Sequence, residues 1–505
     1  MPKYVLTPDC ISFNQLVRNN HTLSPSIYKT LSIRNKNCRS VKSFLSRNLS
    51  KNDLGQDVGS INYISHSSHF FLRTKALKQY SYIPEFTSES VVPIFPSAFI
   101  QMNLKEGDLL ISKDSNIGEI VILDKDYPHI SLSGAIYKLP VDKLKYYLLA
   151  FIKHPIFREQ LDYKVPKGAT IRHAKTLFLD CLIPIPNINS ESIIVYIESL
   201  TKAIIEKEKL IRDRFNKLIS IFASEISDNQ KDNEFIFSFP TISFLENSSR
   251  LDAKFYSRDF RSKYFAISNY SNGCCSIYDL GFSLSRGQNL QVSNIGESVY
   301  SQKYFPNFYS LILPKFISIY GVPNRIEFLG NPNHLKTLNK GDLIFGAEGF
   351  EKGRSIVVVE DIDKYITNIH GITITHKDGV NLKNSIFLKC FLDYCRSINL
   401  IEYFSVGGNG GSFAQKYWDT LLVPNFPVNI KEQIVSLYYS GYDIISLKQI
   451  SSPESFFENE SAINSLSGIY ELNKAKNILQ ALLDEAIQSV IDDKPIEVNY
   501  NVYRG

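Results

Sequence analysis

LKEGDLLI at 104–111 and LNKGDLIF at 338–345 are near-duplicates whose aspartates, Asp108 and Asp342, lie 234 positions apart. Three further pairs keep the same order along the chain. TLSPSIY at 22–28 answers RLDAKFY at 250–256, PKGATI at 166–171 answers GNGGSF at 408–413, and LIPIP at 182–186 answers LVPNFP at 422–427. The offsets stay between 228 and 242. An internal repeat fixes the architecture before any local reading does, and a period this long is too large for a solenoid unit. It means two tandem copies of a whole domain.

Both copies follow one grammar. LeuLeuIle at 109–111 and GluIleValIleLeu at 119–123 flank a polar loop, as do LeuIlePhe at 343–345 and SerIleValValVal at 355–359. β-Branched runs on either side of a Gly/Asp/Asn/Ser loop predict a hairpin. Counting from Asp108 to Ile120 and from Asp342 to Ile356, the second loop is two residues longer. A helical segment follows near 142–161 and again near 382–403, then a Gly-containing loop, a short apolar strand and a Pro-bracketed exit.

After each exit the pattern turns helical. Ile193, Ile197, Leu200, Ile204, Ile211, Leu218 and Phe222 fall at heptad spacing in a stretch free of Gly and Pro, with GluLysGluLys at 206–209 read as the outer face. About 37 such residues at ~1.5 Å each make a rod of ~55 Å. The second half predicts helix over about 429–449, a break at SerSerProGlu 451–454, and helix again over about 462–491, with Leu472, Leu479, Leu482, Ala486 and Val490 as the stripe. Two amphipathic helices in one chain bury their stripes most simply against each other; each packing on its own globule is the alternative. The fold class is therefore α+β: two duplicated mixed α/β globules joined by long helices that form an antiparallel coiled coil. The domains are 1–189, a spacer helix 190–228, a second globule 229–428, and a helical spacer and docking region 429–505.

Composition bounds the class. At 505 residues, with 44% hydrophobic and 21% charged residues, the chain suits two or more globular domains. No apolar run is long enough for a membrane-spanning helix, and MPKYVLTPD at 1–9 lacks the apolar core of a signal peptide. Seven cysteines, Cys10, Cys38, Cys181, Cys274, Cys275, Cys390 and Cys395, form no CxxC pair and no zinc pattern, which fits free thiols in a reducing cytoplasm. A net charge of +5 allows a nucleic-acid partner only if the basic residues cluster locally.

The ordered set of RLDAKFY at 250–256, the two Gly-Asp-Leu hairpins, the GATI and GGS loops and the Pro exits into long helices resembles the specificity (S) subunit of Type I restriction-modification systems. The resemblance covers about 20–227 and 245–491. Each motif is weak alone; the duplicated order is specific. It implies that each globule is a target recognition domain reading one half of a split site in double-stranded DNA. It implies that two methyltransferase subunits dock on the assembly and that restriction subunits can join. It also implies a non-catalytic chain without cofactor, whose complex methylates adenine. The first copy departs from the pattern, with ThrLeuSerProSer where the second has ArgLeuAspAlaLys, and the chain after Pro186 lacks the usual Gln-rich entry to the helix that LysGluGln at 431–433 keeps better. A protein-interaction scaffold, or a specificity-like subunit of another phage-defence complex, stands as the alternative.

A duplex presents its major groove once per ~34 Å turn, so helices of this length suit two readers with unread bases between them. The loops must then bring Lys, Arg, Asn, Gln and Thr to base edges and phosphates. The candidates in the first copy are Lys113, Asn116, Lys167, Thr170, Arg172 and Lys175. In the second they are Lys340, Lys352, Arg354, Asn409, Ser412, Gln415 and Lys416. A lysine beside a turn is usually just solvated, and the Gly-rich loops, close to the helices, have a rival role as contacts to a helix or to a modification subunit.

No catalytic set stands out. GFEKGRS at 349–355 has three residues between its glycines instead of four, and Arg354 where a phosphate-binding loop needs Lys. Asp342 with Glu351 and Lys352 imitates a nuclease cluster, but Glu351 and Lys352 are adjacent. His129, His173 and His370 are isolated, and no metal site is expected.

Overall fold

The two Gly-Asp turns show how sequence becomes structure here. Gly107 and Gly341 take φ of +81° and +92°, backbone that side chains with a Cβ avoid. The next residue closes the turn, because Asp108 Oδ2 accepts from Lys105 N at 2.7 Å and Asp342 Oδ2 from Asn339 N at 2.8 Å. The glycine N–H reaches across to the partner strand in both copies, Gly107 N to Leu123 O and Gly341 N to Val358 O, each at 2.7 Å. The structure, a computed structural model, describes residues 4–165, 174–349, 351–360, 364–376, 381–407, 411–445 and 450–503. The chain divides into two compact units: residues 1–209, 444–465 and 474–505 in the first, and 210–443 with 466–473 in the second.

In the first unit, Leu109–Ser112 is the middle strand of an antiparallel sheet between Ile120–Ile122 and Ile136–Leu139. A second sheet places Phe70–Leu72 between Val91–Pro93, antiparallel, and Ile130–Leu132, parallel. Leu182–Pro184, the strand of the Pro exit, pairs with Cys38–Ser40. Helices Lys145–Lys153 and Pro155–Lys164, separated at the His154–Pro155 step, fill the region predicted as one helix. Pro155 starts the second helix because its missing N–H costs nothing in a first turn.

The second unit repeats this register. Leu343–Gly346 lies between Ser355–Val357 and Gly371–His376. Tyr309–Leu311 is antiparallel to Glu327–Gly330 and parallel to Tyr365–Ile366, and Leu422–Pro424 pairs with Cys274–Ser276. Helices Leu382–Ser397 and Leu400–Phe404 follow. The copies differ at one edge: Phe282–Arg286 adds a full strand to Gly371–His376, whereas the first unit has there only the single bridge Leu54–Tyr137. Both hairpins form as expected. Their loops differ by one residue rather than two, because Ile111 pairs with Ile120 while Phe345 pairs with Ser355. The Ile120–Ile356 match was one position out of register, which in a strand reverses the face.

Two echoes appear in three dimensions, the first of them absent from the sequence expectations. Gly55-Gln56 and Gly287-Gln288 occupy the same place: Gly55 N donates to Ile136 O, Gly287 N to Gly371 O, and each glutamine N–H reaches the neighbouring loop, at Leu132 O and Thr367 O. A Cβ on either glycine would overlap a backbone carbonyl, Ser133 O or Asn368 O. In the TLSPSIY and RLDAKFY segments, Tyr28 Oη donates to Thr22 O at 2.5 Å and Tyr256 Oη to Arg250 O at 2.7 Å. Arg250 does more than its counterpart Thr22. It is buried, binds Asp252 through two bonds, and caps the end of Leu400–Phe404 at Tyr403 O and Phe404 O.

The long helix is continuous over Ser190–Asp228, and every predicted heptad position from Ile193 to Phe222 is buried. Its partner is Ile469–Ile491. In the first unit Ile193 and Val490 line one crevice, and Glu208 Oε1 lies 3.6 Å from Lys476 Nζ, so the helices run antiparallel. In the second unit Ile211 and Phe215 share a core with Ile469 and Leu472.

Four details correct the sequence reading. Leu483, not the half-exposed Leu482, continues the stripe of Leu472 and Leu479, in keeping with a spacing of three to four residues. The predicted helix over 429–449 is Val428–Tyr438, and residues 446–449 lie outside the described residues. The predicted helix over 462–491 is interrupted between Pro453–Leu466 and Ile469–Ile491. Gly468 there lies against the Tyr438 backbone with no room for a Cβ, and Glu471 Oε2 accepts its N–H at 2.9 Å. Nor is 206–209 wholly an outer face. Lys207 is fully buried, bonded to Glu460 Oε2 at 2.7 Å and Asn464 Oδ1 at 2.9 Å, because Pro453–Leu466 packs over it. Glu208 accepts from Tyr82 N at 2.7 Å.

Candidate nucleic-acid interface

The nominated loops come together in each unit through backbone groups. In the first, Ala174 N, at the exit of the Gly-containing loop, donates to Lys113 O at 2.8 Å. In the second, Phe413 N donates to Ala347 O at 2.9 Å, and Val406 and Ser412 exchange both backbone bonds at 2.9 and 2.7 Å. Backbone bonds thus tie the described residues flanking the Gly-containing loop to the hairpin loop in each unit.

The candidate side chains divide. Asn116 and Lys175 are exposed; Ser115 and Lys175 hold φ of +63° and +47°. Lys113 is part-buried and paired with Asp114. Lys167, Thr170 and Arg172 lie outside the described residues, as does Asn409. Lys416 is exposed with its Nζ 4.8 Å from the Tyr417 ring centroid, and Lys340, Ser412 and Gln415 are half-buried.

Lys352 and Arg354 turn inward instead. Lys352 Nζ is 3.1 Å from Glu402 Oε1, and Arg354 Nη1 binds Ile317 O at 2.9 Å and Glu351 Oε2 at 2.5 Å. Both side chains are under a tenth exposed. They hold the loop to the helix and to the core, so the partly exposed charges of the second loop are two acids, Glu351, paired with Arg354, and Glu348. That carboxylate binds Arg286 Nη1 at 2.9 Å and His370 Nδ1 at 2.7 Å. Burial works against its charge, but His370 and Arg286 outweigh it and hold its carboxyl below the ordinary value.

The nuclease imitation of Asp342, Glu351 and Lys352 is not assembled, since Asp342 closes its own turn while Glu351 and Lys352 pair elsewhere. Among the described residues no group of three or more His, Cys, Asp or Glu is placed to hold a metal. No helix among them is long and apolar enough to cross a membrane. The seven cysteines are free thiols, and burial pushes Cys181 and Cys390 up to about 12, far from a nucleophile's range.

Residues absent from the sequence candidates line a cavity of about 380 Å³ on the second unit: Arg286, Gln288, Asn289, Lys336, Thr373 and Thr375 among them. Their signal was the Gly-Gln echo, which marks the edge where this unit gains its extra strand.

No family model and no curated protein matches this chain. Solved structures do. An S subunit of a Type I restriction-modification system from M. genitalium aligns at 12% identity over 93% of this chain and 98% of its own, with a TM-score of 0.36. A structure described for complex assembly and conformational transition of the type I R-M system aligns at 10% identity over 92% and 99%, with a TM-score of 0.28. The HsdS subunit from Thermoanaerobacter tengcongensis aligns at 10% over 84% and 90%, with a TM-score of 0.26. Correspondence runs along nearly the whole chain in each case, while superposition is loose, and the functional reading rests on this chain's own residues.

Proposed function

We propose that this chain is a non-catalytic DNA-specificity subunit of a Type I restriction-modification-like complex. Each unit contributes a target-recognition module, within 1–189 and 229–428, that reads one half of a bipartite double-stranded site. The helices 190–228 and 429–505 dock two methyltransferase subunits, and restriction subunits join the same assembly, in the cytoplasm. The observation that carries this reading is a repeated backbone frame under unlike loops. The Gly-Asp turn, the Gly-Gln edge and the tie between hairpin and Gly-rich loop recur bond for bond. The loops themselves present Asn116 and Lys175 in one copy and Glu348 and Lys416 in the other. Two readers of unlike half-sites need a common frame and different contact groups.

Co-expression of the full chain with the methyltransferase subunit encoded beside it, followed by mapping of methylated genomic sites, tests this. The expected result is a bipartite motif with a fixed gap. Absence of methylation together with absence of DNA retention at low salt would sink the reading. A second reading, an interaction scaffold, draws on the inward turn of Lys352 and Arg354, which leaves the second hairpin loop with few free cations. It expects normal assembly with methyltransferase and no sequence-dependent methylation.

A further inference from the structure

The two units differ most at one place. In the second, the cavity of about 380 Å³ opens over the strands Phe282–Arg286 and Gly371–His376. Its floor is a ladder of hydroxyls across those strands: Ser283 Oγ to Thr375 Oγ1 at 2.8 Å and Ser285 Oγ to Thr373 Oγ1 at 2.6 Å. The exposed Lys336 lies over the ladder, with Nζ donating to Ser285 Oγ at 3.1 Å. Gln288 Oε1 accepts from Lys336 N at 3.4 Å, which leaves its NH2 to donate. Arg286 stands at the rim, tied to Glu348, and the one acid of the lining, Asp342, spends an oxygen on Asn339 N.

In the first unit the same register position is closed. Lys138 pairs with Leu110 across the sheet as Thr373 pairs with Ile344. Its ammonium crosses to Asp108 Oδ2 at 2.7 Å and to Asn103 O at 3.0 Å. The first unit thus fills with its own lysine the space that the second leaves open.

We infer that this basin of the second unit receives a backbone phosphodiester of duplex DNA, with Lys336 as its ionic partner. The inference rests on the DNA-specificity reading and gives it a location. The chemistry favours phosphate over a base edge. Ammonium, guanidinium, amide NH2 and hydroxyl groups are all donors, and phosphate oxygens only accept. The shape agrees, because the backbone of a duplex is its outer ridge and enters a concavity, whereas base edges are recessed in a groove. Such a contact fixes register and carries no sequence information of its own.

The test uses the full-length chain and a fluorescein-labelled duplex of mixed sequence, with anisotropy followed across a sodium chloride series. Lys336→Gln should weaken binding about tenfold at low salt and lower the slope of log K against log salt by about 1. Thr373→Lys discriminates further. It adds a positive charge, so general electrostatic attraction would strengthen binding; a lysine that crosses to Asp342, as Lys138 does to Asp108, fills the basin and weakens it. Trp418, the single tryptophan and fully buried in this unit, reports that each variant is folded. Salt-dependent binding by the wild type with an unchanged slope in Lys336→Gln, or tighter binding by Thr373→Lys, overturns the basin and leaves the DNA reading standing. No salt-dependent binding by the wild type overturns both.

Discussion

Lys138 in the first unit and Thr373 in the second hold the same register position and lead to opposite outcomes, a closed ion pair and an open polar basin. Glu119 and Arg354, each directly after the hairpin glycine, invert the charge of one site: Glu119 receives Arg158 from a following helix, while Arg354 reaches Glu351 within its own loop. The frame is held by glycines, turn-closing aspartates and backbone bonds. What differs between the copies is what side chains do on that frame.

The strongest way to break the comparison is to attack the frame in both copies. Gly55→Ala and Gly287→Ala drive a methyl into a carbonyl oxygen, and each should cost about 4 kcal/mol in urea denaturation. Gly287→Ala should shift the Trp418 fluorescence transition more than Gly55→Ala does. Equal, small shifts would mean that the Gly-Gln edge is not a structural element.

Two lysines sharpen the contrast. Lys389 and Asp393 form a pair at 2.8 Å with side chains 0% and 1% exposed. Lys389→Met leaves the carboxylate with Arg396 Nη2 at 3.9 Å as its cation and should cost about 3 kcal/mol. Lys153, on the corresponding helix of the first unit, donates to Lys78 O, and burial pushes its ammonium down to about 8 although Glu119 and Glu208 pull it back up. Its folded pKa lies below the unfolded value of about 10.4, so the unfolded chain binds more protons between those limits. Wild-type stability should therefore rise with pH from about 8 to about 10. Lys153→Met should abolish that rise and leave stability at pH 7 unchanged or about 1 kcal/mol higher, as measured by urea midpoints at the two pH values.

Arg250→Ala, which uncaps Leu400–Phe404 and empties a buried site, should cost about 3 kcal/mol, against less than about 0.5 kcal/mol for Thr22→Ala at the matching position. The smallest effect concerns acid. Arg47 binds Asp53 through two bonds of 2.6 Å and holds its carboxyl at about 2. A depressed carboxylate stabilises above its unfolded pKa, and that contribution of about 2 kcal/mol should fade as pH falls from about 4 to about 2. Asp53→Asn should lose the acid-side slope. The second unit has Ser285 at the matching edge position, which carries no carboxyl and makes no such contribution there.

The duplication, the two hairpins and the heptad seam were legible because they rest on backbone geometry that only certain residues satisfy. Gly107 and Gly341 need positive φ, and the seam needs an apolar residue at every third or fourth position. The one-residue slip at Ile120 and Ile356 arose because a strand offers apolar residues on both faces when both are buried, as they are here. Site residues were less legible. Lys352 and Arg354 look like loop cations in the sequence, and only packing reveals Glu402 and Ile317 O waiting for them. Lys336 carries no motif; a strand added at one edge makes it a neighbour of Gln288.

The tie between the hairpin loop and the Gly-rich loop runs from amide to carbonyl, as at Phe413 and Ala347 or Ala174 and Lys113. Such bonds are indifferent to side-chain identity. A lineage can therefore exchange the outward residues of these loops, or trade a whole loop for another of matching length, without renegotiating the fold. In a chain that carries two copies of that frame, the loops of one unit can change while those of the other stay as they are.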